Sequence, residues 1–253
     1  MTAIHCEILG QGQPLVMLHG WAMHSQVWAD FADVLSQHFQ VILIDLPGHG
    51  FSDAVESFEL DTIVAALLPV LPEQKIWLMG WSLGATIALA MAQRVPERIE
   101  HLIILAGNPQ FVQTDSWPGV KVETLEAFAD ILKVDVQQTL IRFLALQVSG
   151  LAHGKALLHR LKRAIQACPA PSDAVLQAGL RVLKTSDLRA VVSRNEVSIR
   201  LILGDKDTLI PVECGRALQQ LNPYVSVCIL DSAGHAPFLS HPQQLLEAIL
   251  CKQ

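Results

Sequence analysis

No two of the five cysteines in this 253-residue chain form a CxxC pair. Cys6, Cys168, Cys214, Cys228 and Cys251 are scattered and odd in number. That excludes a zinc knuckle and a thioredoxin-like site, and it is the pattern expected of thiols kept reduced. No stretch of 18 apolar residues is present, so a membrane-spanning helix is not expected. The opening MTAIHCEILGQGQP has neither the basic start nor the apolar core of a secretory signal. The expectation is a soluble, cytoplasmic, monomeric protein. Charge is sparse: 17% of residues are charged and 51% hydrophobic, which excludes wholesale disorder. Lys and Arg, 18 together, are outnumbered by 24 Asp and Glu, and the net charge of −6 argues against a general nucleic-acid binder. A chain of this length buries about 70% of its extended surface, enough for a core without staples.

What is present is a βα rhythm. Apolar runs at Pro14–Gly20, Val41–Asp45, Ile76–Gly80 and Leu102–Gly107 read as buried strands. Helical patterns follow the first three, near Trp28–Leu35, Phe58–Val70 and Leu83–Val95. This alternation predicts an α/β fold with a mostly parallel central sheet flanked by helices. From about Gln110 to Arg189 no strand candidate occurs, and four helical patterns fill the interval: Val122–Lys133, Val136–Val148, Ala152–Cys168 and Asp173–Leu183. Strand patterns return at Ser198–Leu203 and Val225–Leu230, and a helix closes the chain near Pro242–Leu250. The expected organisation is a core in two parts, 1–109 and 190–253, interrupted by a helical cap over 110–189. Between Lys121 and Lys184 nine basic residues face five acidic ones, and Val136–Ser172 contains no acid at all. Arg142, Lys155, Arg160, Lys162 and Arg163 lie in that acid-free interval. It reads either as a solvated helix face or as a docking surface for an acidic partner.

Gly80-Trp81-Ser82-Leu83-Gly84 matches G-x-S-x-G between an apolar strand and a helix, the setting of a nucleophile elbow. Gly80 and Gly84 admit chain segments that a Cβ would exclude. The alternative is a helix-capping serine beside tightly packed glycines. A serine hydroxyl needs a base, and the base needs an orienting carboxylate. Among ten histidines, His235 in SAGHAPF follows the last strand and is the candidate base. His19 is expected to order its own turn, and His49 to be a loop histidine. GDKD offers Asp205 and Asp207. Asp207 sits farther into the loop and is preferred for reaching His235, whereas Asp205 is expected to shape the turn through its side chain. Asp45 is expected to brace the PGHG loop. The order serine, acid, histidine is that of α/β-hydrolases. The backbone amides of Leu83 and Trp21 are the candidate donors to an oxyanion.

The stretches LHGW (18–21), DLPGHG (45–50), GWSLG (80–84), GDKDTLIP (204–211) and AGHAPFLSHP (233–242), with SWPG (116–119) and RFLALQ (142–147) in the insertion, resemble the pimeloyl-[acyl-carrier protein] methyl ester esterases, carboxylesterases of biotin synthesis. The resemblance extends over nearly the whole chain. It implies a triad of Ser82, Asp207 and His235, with Trp21 and Leu83 at the oxyanion. It further implies substrate contacts from Phe143, Leu144, Ala145, Leu146 and Gln147, with Phe111 beside the acyl chain. The implied substrate is a pimeloyl methyl ester on an acidic acyl carrier protein, docked by basic cap residues. Arg142 and Lys155 keep matching charges. Gln138 and His159 depart from the family's arginines, with Arg160, Lys162 and Arg163 available to compensate. The chemistry requires no metal or organic cofactor. Competing readings are a broad carboxylesterase for small free esters, a carbon–carbon bond hydrolase on the same fold, and a ligand-binding protein with a slow triad.

Overall fold

The computed structural model describes residues 2–194 and 197–251. Seven strands form one sheet: β1 (Cys6–Leu9), β2 (Pro14–Leu18), β3 (Gln40–Ile44), β4 (Ile76–Trp81), β5 (Ile99–Leu105), β6 (Ser198–Gly204) and β7 (Ser226–Leu230). Their spatial order is β1-β3-β2-β4-β5-β6-β7. All neighbours are parallel except β1, which runs antiparallel to β3 with Cys6 opposite Ile44. The inner strands are apolar on both sides because the sheet is covered on both sides. Leu15 and Met17 of β2 face one apolar cluster, and Val16 and Leu18 face the other. The helices α1 (Ala29–Leu35), α2 (Leu60–Leu67) and α3 (Leu83–Arg94) follow the first strands as expected. Phe31 and Leu35 of α1 join the first cluster, while Ile63 of α2 and Ile87 and Met91 of α3 join the second.

Between β5 and β6 lie α4 (Val122–Leu132), α5 (Val136–Gln147), α6 (Gly154–Ile165), α7 (Asp173–Thr185) and α8 (Arg189–Arg194). The four predicted helical segments are all present. The fifth helix, α8, was not expected; it is one short turn-and-a-half and it packs on α3. Capping explains two of the starts: Asp135 accepts from Gln138 N–H and Ser172 from Val175 N–H. The excursion is closed at its base, where Leu188 N–H donates to Pro109 O at 2.8 Å. After β6, α9 (Glu213–Leu221) leads to β7, then α10 (Pro237–Ser240) and α11 (Pro242–Leu250) end the fold. Among the described residues no helix is long and apolar enough to cross a membrane.

Candidate active site

β4 feeds straight into α3 through Ser82, whose φ of 56° and ψ of −115° are costly for a residue with a side chain. The elbow is this tight because α3 must turn back against β2. A Cβ on Gly84 would overlap the carbonyls of Leu18 and His19. The Ser82 side chain makes no capping bond to α3, so the helix-cap alternative falls. Its hydroxyl is buried and has no protein partner among the described residues. The Leu83 N–H opens α3 and therefore lies outside the i→i−4 ladder. Trp21 lies directly after the β2 turn, and its side chain is fully buried.

Asp207 and His235 come together from the loops after β6 and β7. His235 Nδ1 is 2.8 Å from Asp207 Oδ2, and both side chains are wholly buried. The carboxylate can only accept, so Nδ1 carries the proton and Nε2 presents a lone pair. Nε2, like Ser82 Oγ, has no protein partner among the described residues. The remaining Asp207 oxygen, Oδ1, accepts from the N–H groups of Leu209 and Ile210 at 2.8 and 3.1 Å. This corrects the expectation for Asp205: the side-chain turn bonds belong to Asp207. Asp205 Oδ2 instead pairs with exposed Lys206 at 3.3 Å, and its Oδ1 is buried without a partner among the described residues. Asp207 thus has one oxygen fixed by its own turn and the other fixed on the imidazole.

His235 is held from behind by Trp81. The Trp81 indole N–H donates to His235 O at 2.7 Å, and Trp81 packs with Trp28 and Phe238. This role of Trp81 was not anticipated. The signal was in plain view, as a large aromatic between Gly80 and the serine has to be accommodated next to the site. On the cap side, Phe143 meets Trp21 edge-on at 4.8 Å, and Phe128, also unanticipated, meets Phe143 at 5.9 Å. Trp21 Nε1–H reaches Leu176 O on α7 at 2.8 Å. Phe111 is buried in the same apolar cluster as Trp21 and Phe143. The stretch 143–147 does not share one face, because successive helical residues turn by about 100°. Phe143, Leu144 and Gln147 are buried, Leu146 is half-buried and Ala145 is exposed. Both side-chain polar atoms of Gln147 are buried without a protein partner among the described residues.

The other candidates sort by their partners. Arg142, Lys155 and Arg163 are exposed and Lys162 is half-buried, and none has an ion-pair partner among the described residues. Arg160 is different: it bonds Asp30 at 2.6 Å and Leu239 O at 2.9 Å, fastening α6 to the core. His19 does order its turn, with Nδ1 on Gly20 O and Nε2 accepting from Leu46 N–H. His49 lies in the loop after β3, as expected, and is buried there, and burial lowers it to about 4. Burial likewise lowers His19 to about 3. Asp45 braces its loop as expected, accepting from Ser25 and Phe51 N–H. Burial opposes ionisation of Asp45, but those two N–H groups hold it below the usual carboxylate range. Cys6 and Cys214 are poor nucleophiles, since burial pushes both thiols up to about 11.

Comparison with known proteins agrees with this architecture. The alpha/beta hydrolase fold family matches residues 13–242. The solved esterase from Exiguobacterium antarcticum superposes with a TM-score of 0.89, 24% identity and coverage of 98% of this chain and 94% of that one. A bromoperoxidase from Bacillus anthracis does so at 0.85, 23% identity and coverage of 98% and 94%. At these identities the likeness is one of fold. Sequence relatives are nearer. The pimeloyl-[acyl-carrier protein] methyl ester esterase of Nitrosomonas europaea is 41% identical over 97% of this chain and 98% of its own length. The enzyme of the same name from Klebsiella pneumoniae is 38% identical over 99% and 97%. The strand–serine–helix elbow, the α/β-hydrolase sheet and near-complete coverage by these relatives agree, and the chain belongs to the pimeloyl-[acyl-carrier protein] methyl ester esterase family of α/β-hydrolases.

Proposed function

We propose that this chain is a serine carboxylesterase that hydrolyses the methyl ester of a pimeloyl chain carried on an acyl carrier protein. The observation that carries the reading is the buried Asp207–His235 pair, with Nε2 unspent, held by Trp81, the residue directly before an elbow serine whose hydroxyl is also unspent. Ser82 Oγ attacks the ester carbonyl as His235 Nε2 takes its proton. The N–H groups of Trp21 and Leu83 stabilise the oxyanion. The intermediate collapses to an acyl-serine, and methanol leaves with the proton returned by His235. Water then gives a proton to His235 and its oxygen to the acyl carbon. Ser82 is re-protonated, and the pimeloyl carboxylate is released on its carrier. Asp207 stabilises the imidazolium in both halves.

The aromatic wall of Trp21, Phe143 and Phe128 suits an aliphatic chain, and Phe111 is buried in the same cluster. Arg142, Lys155, Lys162 and Arg163 suit the acidic carrier. Arg160 is already engaged by Asp30. Cys6, Cys168, Cys214 and Cys228 are free thiols, as suits the reducing cytoplasm. The test compares turnover of carrier-bound and free pimeloyl methyl ester by the parent and by an R142A/K155A/K162A/R163A variant. The variant should raise KM for the carrier-bound ester about tenfold or more at low salt, with the gap closing as salt screens the field. The free ester should change little. A second variant that retains Arg142 controls for its neighbour Phe143. Equal losses on both substrates, without a salt dependence specific to the carrier, would reject carrier docking.

A further inference from the structure

The last carbonyls of an α-helix have no intrahelical partner and carry partial negative charge. In α5 that end meets the two loops bearing the acid and the base. Thr208 Oγ1 donates to Leu146 O at 3.1 Å, and the His235 backbone N–H donates to Gln147 O at 3.3 Å. Each catalytic loop thus places one donor on the same helix terminus. The His235 backbone is gripped twice, by Gln147 from the cap and by Trp81 from the core. The Asp207 loop is rigid internally, because Oδ1 of Asp207 holds the Leu209 and Ile210 amides. Lys206 N–H ties it to Ala233 O in the His235 loop. Its side-chain bond to the cap is made by Thr208, the residue directly after the acid.

We infer that Thr208 is a positioning residue for ester hydrolysis: its hydroxyl ties the acid loop to α5, so the seating of the cap and the alignment of the Asp207–His235 pair are set together. This rests on the hydrolase reading of the site but not on the identity of the acyl carrier. α5 is also the helix that brings Phe143 to Trp21, so one element touches the acyl-chain wall and both catalytic loops. Thr208 is exposed, and a threonine-to-valine change at an exposed site is ordinarily near neutral for stability. An effect confined to turnover is therefore informative.

The experiment uses the full chain, a short soluble p-nitrophenyl ester, and the variants T208V and T208S. In T208V, kcat should fall about three- to tenfold, the rate equivalent of one ordinary hydrogen bond, with KM essentially unchanged. T208S, which keeps the donor, should recover most of the loss. The urea midpoints of all three proteins should coincide. An active parent with an unaffected T208V overturns the inference. So does a T208S as slow as T208V, or a loss of rate matched by a lowered urea midpoint, which marks a merely structural role. A parent that neither turns the ester over nor takes a fluorophosphonate at Ser82 overturns the hydrolase reading, and this inference with it.

Discussion

At the scale of single residues, the two carboxylates of GDKD differ in what an amide would do to them. In D207N the Oδ1 that accepts from Leu209 and Ile210 is retained, so the turn survives. The amide nitrogen would then face His235 Nδ1 and force the other tautomer, leaving no base toward Ser82. A loss of about 10⁴-fold in kcat is expected. D205N surrenders only an exposed pairing with Lys206 and should stay within about threefold of the parent. Steady-state rates of the two folded variants decide the matter, and a larger loss in D205N would reverse the assignment. Ser82 was legible because G-x-S-x-G between a strand and a helix is a local signal. The choice of Asp207 was legible from loop position, but the reason was not. That reason is a pair of backbone bonds, and sequence does not state which oxygen they occupy. Trp81 was legible as an aromatic that must pack beside the serine, but its bond to His235 was not, because that bond joins residues 154 positions apart.

At the scale of elements, Gly179 in the middle of α7 needs explaining, since glycine costs a helix interior about 1 kcal/mol relative to alanine. A Cβ there would lie 2.7 Å from Trp21 Cδ1, and that ring is buried and bonded to α7 through Leu176 O. G179A should therefore lose about 1–3 kcal/mol to overpacking against about 1 kcal/mol gained in propensity. The net expectation is a lowered urea midpoint together with reduced esterase rate. A raised midpoint would show that the ring moves aside freely. The long periodic helices of the insertion were readable because their apolar faces repeat over three turns. β1 was missed because its four residues are half-buried or, at Ile8, exposed, and pair at an edge. α8 and α9 were missed because one is six residues long and the other is interrupted by Gly215.

At the scale of the molecule, His19, His49 and Asp45 form a buried polar cluster beneath the elbow, with the two histidine rings 5.2 Å apart and buried His24 beside them, also lowered by burial. His19 and His49 are held below 6.5, to about 3 and about 4. As pH falls below 6.5 the unfolded chain takes up protons that the folded one refuses, so stability is lost with falling pH. Each such group contributes about 1.4 kcal/mol per pH unit, or on the order of 3 kcal/mol for the pair between pH 6.5 and 5. Carboxylates scarcely titrate in that window. Urea unfolding followed by tryptophan fluorescence at pH 7, 6 and 5 should show this slope, and H49Q should flatten it. A flat profile in the parent would show that these histidines do not stay neutral. The strand order that assembles this cluster was beyond reading from sequence, because it depends on which distant strands become neighbours. One feature of that topology bears on how such a protein can be rebuilt. The chain departs at Pro109 and rejoins at Leu188 across a single hydrogen bond, and α8 then completes the crossover to β6. The intervening helices enter and leave the core at one splice point, so a relative's insertion can be transplanted there without shifting the register of a strand. Because α5 also bonds the loops of Asp207 and His235, and Arg160 ties α6 to Asp30, such a graft would carry part of the alignment of that pair with it.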